Sequence, residues 1–246
     1  YRPYMQGDNL RHVDWKVWGR TDELYVKQFE DDTNLRCHIL VDTSASMNFG
    51  AINKFSYARM LAAALAYLMA RQHDAPGLVL FNETARQVLP PRGGFAHVEE
   101  LHLELARAKA SGRAAWTQRM AGLTGGAQRR GVAVVISDLL SSVENVVDML
   151  QQLQAERQEV VLFHIVAPEE LELPTEGRFL MQDAETGEQV SVDASTFREE
   201  FQQRVQTFYR SVQQGCEGLE VDYERIRTDQ PLDVALTTYL ERRQQV

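Results

Sequence analysis

The chain has 246 residues, of which 44% are hydrophobic and 25% are charged, so it can build a folded core and is not a largely disordered protein. Its net charge of -9 argues against nonspecific binding to nucleic acid or to an anionic membrane, because both attract basic surfaces. An acidic surface of this kind suits a basic protein partner or a cation.

In the first half of the chain, apolar patterns predict strands that alternate with helices. The first strand ends at Asp42, and the Pro76–Gly77 pair marks a turn before the second. The third strand is expected to pair with the second through a turn at residues 82–83. The predicted elements are strands at 39–41, 78–81 and 85–89 and helices at about 54–72, 98–109 and 116–128.

The second half continues this alternation and then changes character after Pro168. Its predicted elements are strands at 132–136, 160–166 and 220–226, helices at about 143–155, 196–213 and 232–243, and a hairpin that joins 179–181 to 189–192. The central strands are apolar on both faces, which is typical of a parallel sheet covered by helices on each side. We therefore predict a Rossmann-like α/β three-layer sandwich with a hairpin insertion at about 168–195.

Oxygen-bearing side chains follow the first strand directly. Asp42, Ser44 and Ser46 lie in the loop before the first helix, and Asp138 occupies the matching place after the strand at 132–136. Ligands of open α/β sheets bind outside the carboxyl ends of the strands. A carboxylate and two hydroxyls are hard oxygen donors suited to Mg²⁺. The alternative is that these serine and aspartate residues only cap the helices that follow them.

Two groups of residues also resemble known families. The sequence DTSAS at 42–46 resembles the metal-ion-dependent adhesion site of von Willebrand factor A domains. The stretches YRPY (1–4), GDNLRHVDWK (7–16), RT (20–21) and LYVKQFE (24–30) resemble the bacterial domain of unknown function 58 family. That second resemblance continues through residues 54–55, 57–58, 61–67 and 77–81 to Ser137 and Asp138, and it covers roughly the first 165 residues.

The resemblance implies a von Willebrand factor A-type fold and a non-catalytic role. Members of the family are usually encoded beside MoxR-type AAA+ ATPases and are regarded as adaptors in assembling or activating other proteins. It implies that residues 1–36 form a family-specific segment packed on the sheet and that 37–246 form the von Willebrand factor A-like domain. A MoxR-type ATPase or its client would be the partner, and Mg²⁺, Mn²⁺ or Ca²⁺ the cofactor.

One departure from the superfamily pattern leaves the metal site open to two interpretations. Sites of this type usually take a threonine from a second loop, which should correspond to residues 111–116, where Arg113 or Ala114 stands instead. Thr117 is near but is expected to lie inside the next helix. If Arg113 points into the site, its guanidinium could take the place of the cation and pair with Asp42 or Asp138.

A dense group of charged and aromatic residues near the start of the chain is a second candidate site. It is either a partner surface or a structural clamp in which Trp15 and Trp18 are buried and Asp14 forms a salt bridge. The residues proposed for the partner surface are Asp8, Arg11, Asp14, Trp15, Lys16 and Arg20.

The alternative function is a metal-dependent phosphoester hydrolase with Asp42 as nucleophile or metal ligand. Such enzymes often carry Asp-x-Asp at this place, where this chain has Ser44, and neither a Gly-x-Ser-x-Gly elbow nor a P-loop occurs in the sequence. We therefore expect a protein that is not an enzyme.

The expected location is cytoplasmic. Cys37 and Cys216 have no metal-ligand spacing and should be buried, reduced thiols, as suits a reducing compartment. No apolar run approaches the ~20 residues that cross a bilayer. The chain begins at Tyr1, without Met, so we expect it to be a fragment, and an anchor upstream could place it on the cytoplasmic face of the membrane.

Overall fold

The structure is a computed structural model in which the described residues are 2–3, 15–21, 23, 25–26, 35–83, 86–114, 130–171, 177–182, 184 and 187–244. The chain divides into two compact units, Tyr1–Thr33 and Asn34–Val246. In the first unit, β1 (Arg2–Pro3) pairs antiparallel with β2 (Tyr25–Val26), and helix α1 covers Trp15–Thr21. That this segment packs on the sheet stays a prediction.

The second unit contains the strands and helices that the sequence analysis predicted, except the helix at 116–128, which lies outside the described residues. The strands are β3 (Arg36–Asp42), β4 (Ala75–Phe81), β5 (Arg86–Leu89), β6 (Gly131–Ser137), β7 (Gln158–Val166), β8 (Arg178–Gln182), β9 (Gln189–Asp193) and β10 (Asp222–Arg227). The helices are α2 (Lys54–Arg71), α3 (Phe95–Arg107), α4 (Val143–Ala155), α5 (Ala194–Gly218) and α6 (Leu232–Gln244). Among the described residues, none of the helices is both long and apolar enough to cross a membrane.

Across the residues that the structure describes, six strands form one sheet in the order β10-β7-β6-β3-β4-β5. All neighbours are parallel except β5, which returns antiparallel to β4 as expected. The register places Val41 beside Ile136, so β3 and β6 end at the same edge of the sheet. Asp42 and Asp138 are therefore brought to neighbouring strand ends, as predicted.

Alternate residues of the central strands supply two separate cores. Ile39 and Val41 face one cluster with residues of α2, α3 and α6, whereas Leu40 faces the other cluster with residues of α4 and α5. Because strand side chains alternate between faces, a strand that is buried on both sides must be apolar throughout. This arrangement is the predicted three-layer sandwich. Cys37 and Cys216 are buried, free thiols, also as predicted.

The predicted turn at Pro76–Gly77 is wrong, because both residues belong to β4. Gly77 is needed for a close approach and not for a bend. A Cβ built on it would lie 2.8 Å from the backbone nitrogen of Pro91 and 2.9 Å from the carbonyl oxygen of Leu89. The loop after β5 therefore crosses β4 at a distance that only glycine permits.

Replacing Gly77 by alanine is expected to lower the free energy of unfolding by about 1–3 kcal/mol, because the backbone of Pro91 has to move to admit a methyl group. Chemical denaturation measures the loss. Gly93→Ala is the matched control, since nothing lies within 4 Å of a Cβ at Gly93. Equal stabilities of the two variants would contradict the packing argument.

The predicted hairpin insertion is present as a two-stranded sheet of its own, formed by β8 and β9. Phe179 pairs with Val192 and Met181 with Val190, so one face of the ribbon is apolar. Helix α5 follows at once and is longer than predicted, with 25 residues.

Candidate functional site

Asp42 ends β3 and is completely buried. One carboxylate oxygen accepts a hydrogen bond from the backbone N–H of Ser44 at 2.8 Å, and the other accepts one from the Ser137 hydroxyl at 2.6 Å. Burial raises the pKa of Asp42 to about 7, and the nearby charge of Asp138 acts in the same direction. The interior thus holds a carboxylate whose negative charge is poorly compensated.

Ser44 and Ser46 present their hydroxyls to each other. Both residues are buried, at 0% and 2% exposure, and their Oγ atoms lie 2.9 Å apart. Two neighbouring ligands of an octahedral Mg²⁺ ion, each about 2.0–2.1 Å from the metal, are themselves separated by about 2.9 Å. The two hydroxyls are hydrogen-bonded to each other in this structure, and their spacing also equals one edge of such an octahedron.

The loop at residues 111–113 lies against the loop at 42–46 through backbone hydrogen bonds. Ser111 N donates to the Thr43 carbonyl oxygen, and Ala45 N donates to the Gly112 carbonyl oxygen, both at 2.8 Å. The stretch that the sequence analysis matched to the second loop of the superfamily pattern therefore lies beside residues 42–46. Arg113, however, is exposed, and its backbone pairs with Glu83. Thr117 lies outside the described residues.

Asp138 follows β6 and is held at several atoms. Its Oδ2 accepts from Lys54 Nζ at 2.7 Å and its Oδ1 from Leu140 N at 3.3 Å. Ser137, just before it, donates to Asp42 and accepts from the backbone N–H of Leu139 at 3.0 Å. Leu139 is fully buried and has φ 54°, a left-handed conformation that costs energy for a residue with a Cβ. A strained turn therefore fixes Asp138.

Lys54 supplies the positive charge beside Asp138, in place of the guanidinium of Arg113 that the sequence analysis considered. The first residue of α2, it has no exposed surface, and its ammonium also pairs with Glu170. Burial alone would lower the pKa of Lys54, but the carboxylates of Asp138 and Glu170 raise it above its ordinary value. The start of α2 reaches the end of β6, whereas the Arg113 backbone is tied to Glu83.

His164 is a further buried residue that the sequence analysis left without a role. On β7, its Nε2 donates to the backbone oxygen of Asp138 at 3.0 Å, and its Nδ1 accepts from the Tyr223 hydroxyl at 2.9 Å. Burial lowers its pKa to about 3, so it is a neutral imidazole that holds the loop after β6.

Because of His164, the stability of the folded protein should decrease as the pH is lowered. Because the folded-state pKa of His164 lies below its unfolded value, its contribution to stability is present above pH ~6.5 and is lost as the pH falls toward 3. Between pH 7 and pH 5 we expect this residue to remove about 2 kcal/mol from the free energy of unfolding. Urea denaturation at a series of pH values measures it.

His164→Gln retains an N–H donor for Asp138 but does not titrate. The variant should therefore lose less stability than the wild type between pH 7 and pH 5. His38, whose pKa burial lowers to about 4, remains in both proteins and cancels in the comparison. Parallel pH profiles for the two proteins would rule out the assignment.

Whether a divalent cation fits this edge depends on the donor chemistry. Within the ranges that the structure describes, histidine, cysteine, aspartate and glutamate side chains form no cluster of three suited to a metal. The oxygen donors at this edge are instead the paired hydroxyls of Ser44 and Ser46 and the carboxylate of Asp42, which accepts from the Ser44 backbone. Hydroxyl and carboxylate oxygens fit Mg²⁺, which retains several waters, and these residues therefore fit the predicted ion.

The second predicted site, near the start of the chain, is only partly described. Asp8, Arg11 and Asp14 lie outside the described residues. Trp15, Lys16 and Arg20 are on α1, where Arg20 is exposed. Trp18 is 43% exposed, so its burial in a clamp is wrong, because the residues at 18–20 all face solvent. The partner-surface interpretation stays a prediction.

Comparison with known sequences gives a match over most of the chain. The model of the family "Protein of unknown function DUF58" matches residues 1–209. Uncharacterized proteins of Mycobacterium tuberculosis and Mycobacterium bovis are each 31% identical to this chain over 235 residues. The match covers 93% of this chain and 73% of each relative.

Comparison with solved structures gives similarities at low sequence identity. An aerotolerance-related membrane protein from Bacteroides fragilis, crystallised with multiple mutations to serines, has a TM-score of 0.50 and 16% identity, covering 84% of this chain and 99% of that one. The SpRpn10 VWA domain has a TM-score of 0.43 and 12% identity, covering 85% and 94%. At 16% identity, the similarity to the aerotolerance-related protein concerns the fold alone.

Proposed function

The chain belongs to the DUF58 family, and from that premise we propose that it is a non-catalytic protein-binding module that uses a divalent-cation site at the carboxyl edge of its sheet. The observation that carries the proposal is the pair of buried hydroxyls, Ser44 and Ser46, 2.9 Å apart beside the buried carboxylate of Asp42. A von Willebrand factor A-type sandwich offers this edge to partners, since ligands of such sheets bind beyond the strand ends.

The roles of the residues follow from their surroundings. Ser44 and Ser46 would hold the cation directly, and Asp42 would supply the negative charge, oriented by Ser137 and by the backbone of Ser44. A bound Mg²⁺ or Mn²⁺ would supply an open coordination position for a carboxylate oxygen of a partner. Asp42 itself is poorly placed as a nucleophile, because it is buried and both its oxygens already accept hydrogen bonds.

Calorimetric titration with Mg²⁺ and Mn²⁺ tests the cation site. We expect one ion per chain, and we expect the Ser44→Ala/Ser46→Ala double variant to lose binding while it stays folded, since removing two small hydroxyls leaves the apolar cores intact. Ser142→Ala, which changes a hydroxyl at the start of α4, is the matched control and should bind as the wild type does. Saturable binding that survives the double variant would place the ion elsewhere.

The proposed partner is a MoxR-type AAA+ ATPase or its client, as the family resemblance implies. The acidic surface supports a basic protein partner in general. The test is a binding measurement between the purified chain and the purified MoxR-type ATPase of the same bacterium, with Mg²⁺ and with chelator. Binding that requires Mg²⁺ and is lost in Asp42→Ala supports the proposal, and unchanged binding by that variant contradicts the cation mechanism.

A further inference from the structure

Lys54 occupies a place that ordinary stability considerations do not explain. It is the first residue of α2, directly after the cap Asn53, and its side chain is wholly buried. A positive charge at a helix N-terminus opposes the helix dipole. Lysine is almost never fully buried unless it is paired, and a buried ion pair is often no more stabilising than apolar residues of the same size.

The contacts of Lys54 show what its charge acts on. Its ammonium lies between the carboxylates of Asp138 and Glu170, and 5.7 Å from the centre of the Phe49 ring. Glu170 is held in turn by the backbone N–H of Ala167 at 2.9 Å. One ammonium thus connects the start of α2 with the loops after β6 and β7, all at the edge that carries Asp42.

The two aspartates consequently have different partners. In the described part of the chain, the donors to Asp42 are neutral groups of Ser44 and Ser137. Asp138 accepts from a cationic donor at 2.7 Å. A second cation placed against Asp138 would meet the ammonium at short range, and like charges at such distances repel strongly inside a protein. A cation placed against Asp42, whose donors are neutral, would not meet this repulsion.

We propose that Lys54 is a positioning residue: its ammonium keeps Asp138 from coordinating the divalent cation directly, so that the ion is held by the hydroxyls of Ser44 and Ser46 beside the charge of Asp42 and keeps open positions. The inference rests on the proposed cation site and deepens it. Lys54 would also lower the affinity of the site, since a positive charge at the same edge of the sheet repels a cation. A weakly held ion with open positions is the form that can accept an oxygen from a partner.

Calorimetric titration with Mn²⁺ of the wild-type chain and three variants of it tests this inference. Lys54→Met removes the charge but keeps a side chain of similar length. We expect this variant to bind Mn²⁺ at least tenfold more tightly than the wild type, because the carboxylate of Asp138 becomes available to coordinate the ion. Lys54→Arg keeps the charge and should stay within threefold of the wild type. Glu170→Gln removes a carboxylate but leaves the pair of Lys54 with Asp138, and should bind severalfold more weakly.

If Lys54 only stabilises the fold, Lys54→Met should bind Mn²⁺ no more tightly than the wild type. If the wild type binds Mn²⁺ and folded Lys54→Met binds it equally or less well, the inference is overturned and the cation site stands. If only Lys54→Met binds, Lys54 excludes the ion altogether, so the cation site of the wild type fails and the inference fails with it. If neither binds, both fail. Should Lys54→Met be unfolded without metal, refolding by Mn²⁺ supports the inference, and unchanged or tighter binding by Glu170→Gln contradicts it.

Discussion

Lys54→Met is expected to lower the free energy of unfolding of the metal-free protein by about 3–5 kcal/mol, the usual cost of leaving a buried carboxylate without its partner. The lysine has no exposed surface and Asp138 is 1% exposed at its side chain, so water cannot replace the ammonium. Glu170 is 21% exposed and can turn toward solvent, so most of the loss should come from Asp138. Urea denaturation in the presence of chelator measures it.

The charge-balanced double variant Lys54→Met/Asp138→Asn is the control for this prediction. It removes the stranded charge, so its loss of stability should be smaller than the sum of the two single losses by at least about 1 kcal/mol. Strictly additive losses, or a loss below about 1 kcal/mol for Lys54→Met alone, would mean that Lys54 does not compensate the buried charge of Asp138.

Asp42→Asn is expected to make the metal-free protein more stable at pH 8 while abolishing divalent-cation binding. The folded-state pKa of Asp42 is raised to about 7, so its contribution to stability is present below pH ~4 and is lost as the pH rises toward 7. The asparagine variant has no charge to lose. Its advantage over the wild type should therefore grow from pH 4 to pH 8 and reach about 2–4 kcal/mol.

The measurement is thermal or urea denaturation of both proteins across this pH range with chelator. Asp148→Asn, on the exposed face of α4, is the matched control and should change stability by no more than about 0.5 kcal/mol. A site that sacrifices stability for function is expected to behave in this way. If Asp42→Asn is destabilised equally at pH 4 and pH 8, the carboxylate is not an uncompensated charge.

The fold was predictable because its strands and helices differ in hydrophobic period. Strands buried on both faces, such as β6, are continuous apolar runs, and α4 was predicted with its observed bounds, Val143–Ala155. The error at Gly77 arose because glycine permits a close contact as well as a turn, and only the crossing of Pro91 distinguishes the two. The length of α5 was underestimated mainly at its C-terminal end, where the helix continues through Gly215 to Gly218 although glycine is a poor helix former.

The site was predictable only in part. The motif at 42–46 and the matching position of Asp138 identify the edge of the sheet, because the carboxyl ends of parallel strands lie together. Lys54, Glu170 and His164 could not be assigned from spacing, since they come from α2, the loop after β7 and β7 itself. A lysine in the first helical turn, where the dipole disfavours it, was the one signal in the sequence that pointed to Lys54.

The most direct test of the divalent-cation site at Ser44 and Ser46 is a crystal structure of the chain grown with Mn²⁺, with anomalous scattering used to locate the ion. We expect one anomalous peak within coordination distance of the hydroxyl oxygens of Ser44 and Ser46 and next to the Asp42 carboxylate, with Lys54 still paired to Asp138. Mn²⁺ bound at another place, or no peak beside the two hydroxyls at saturating concentration, would contradict it.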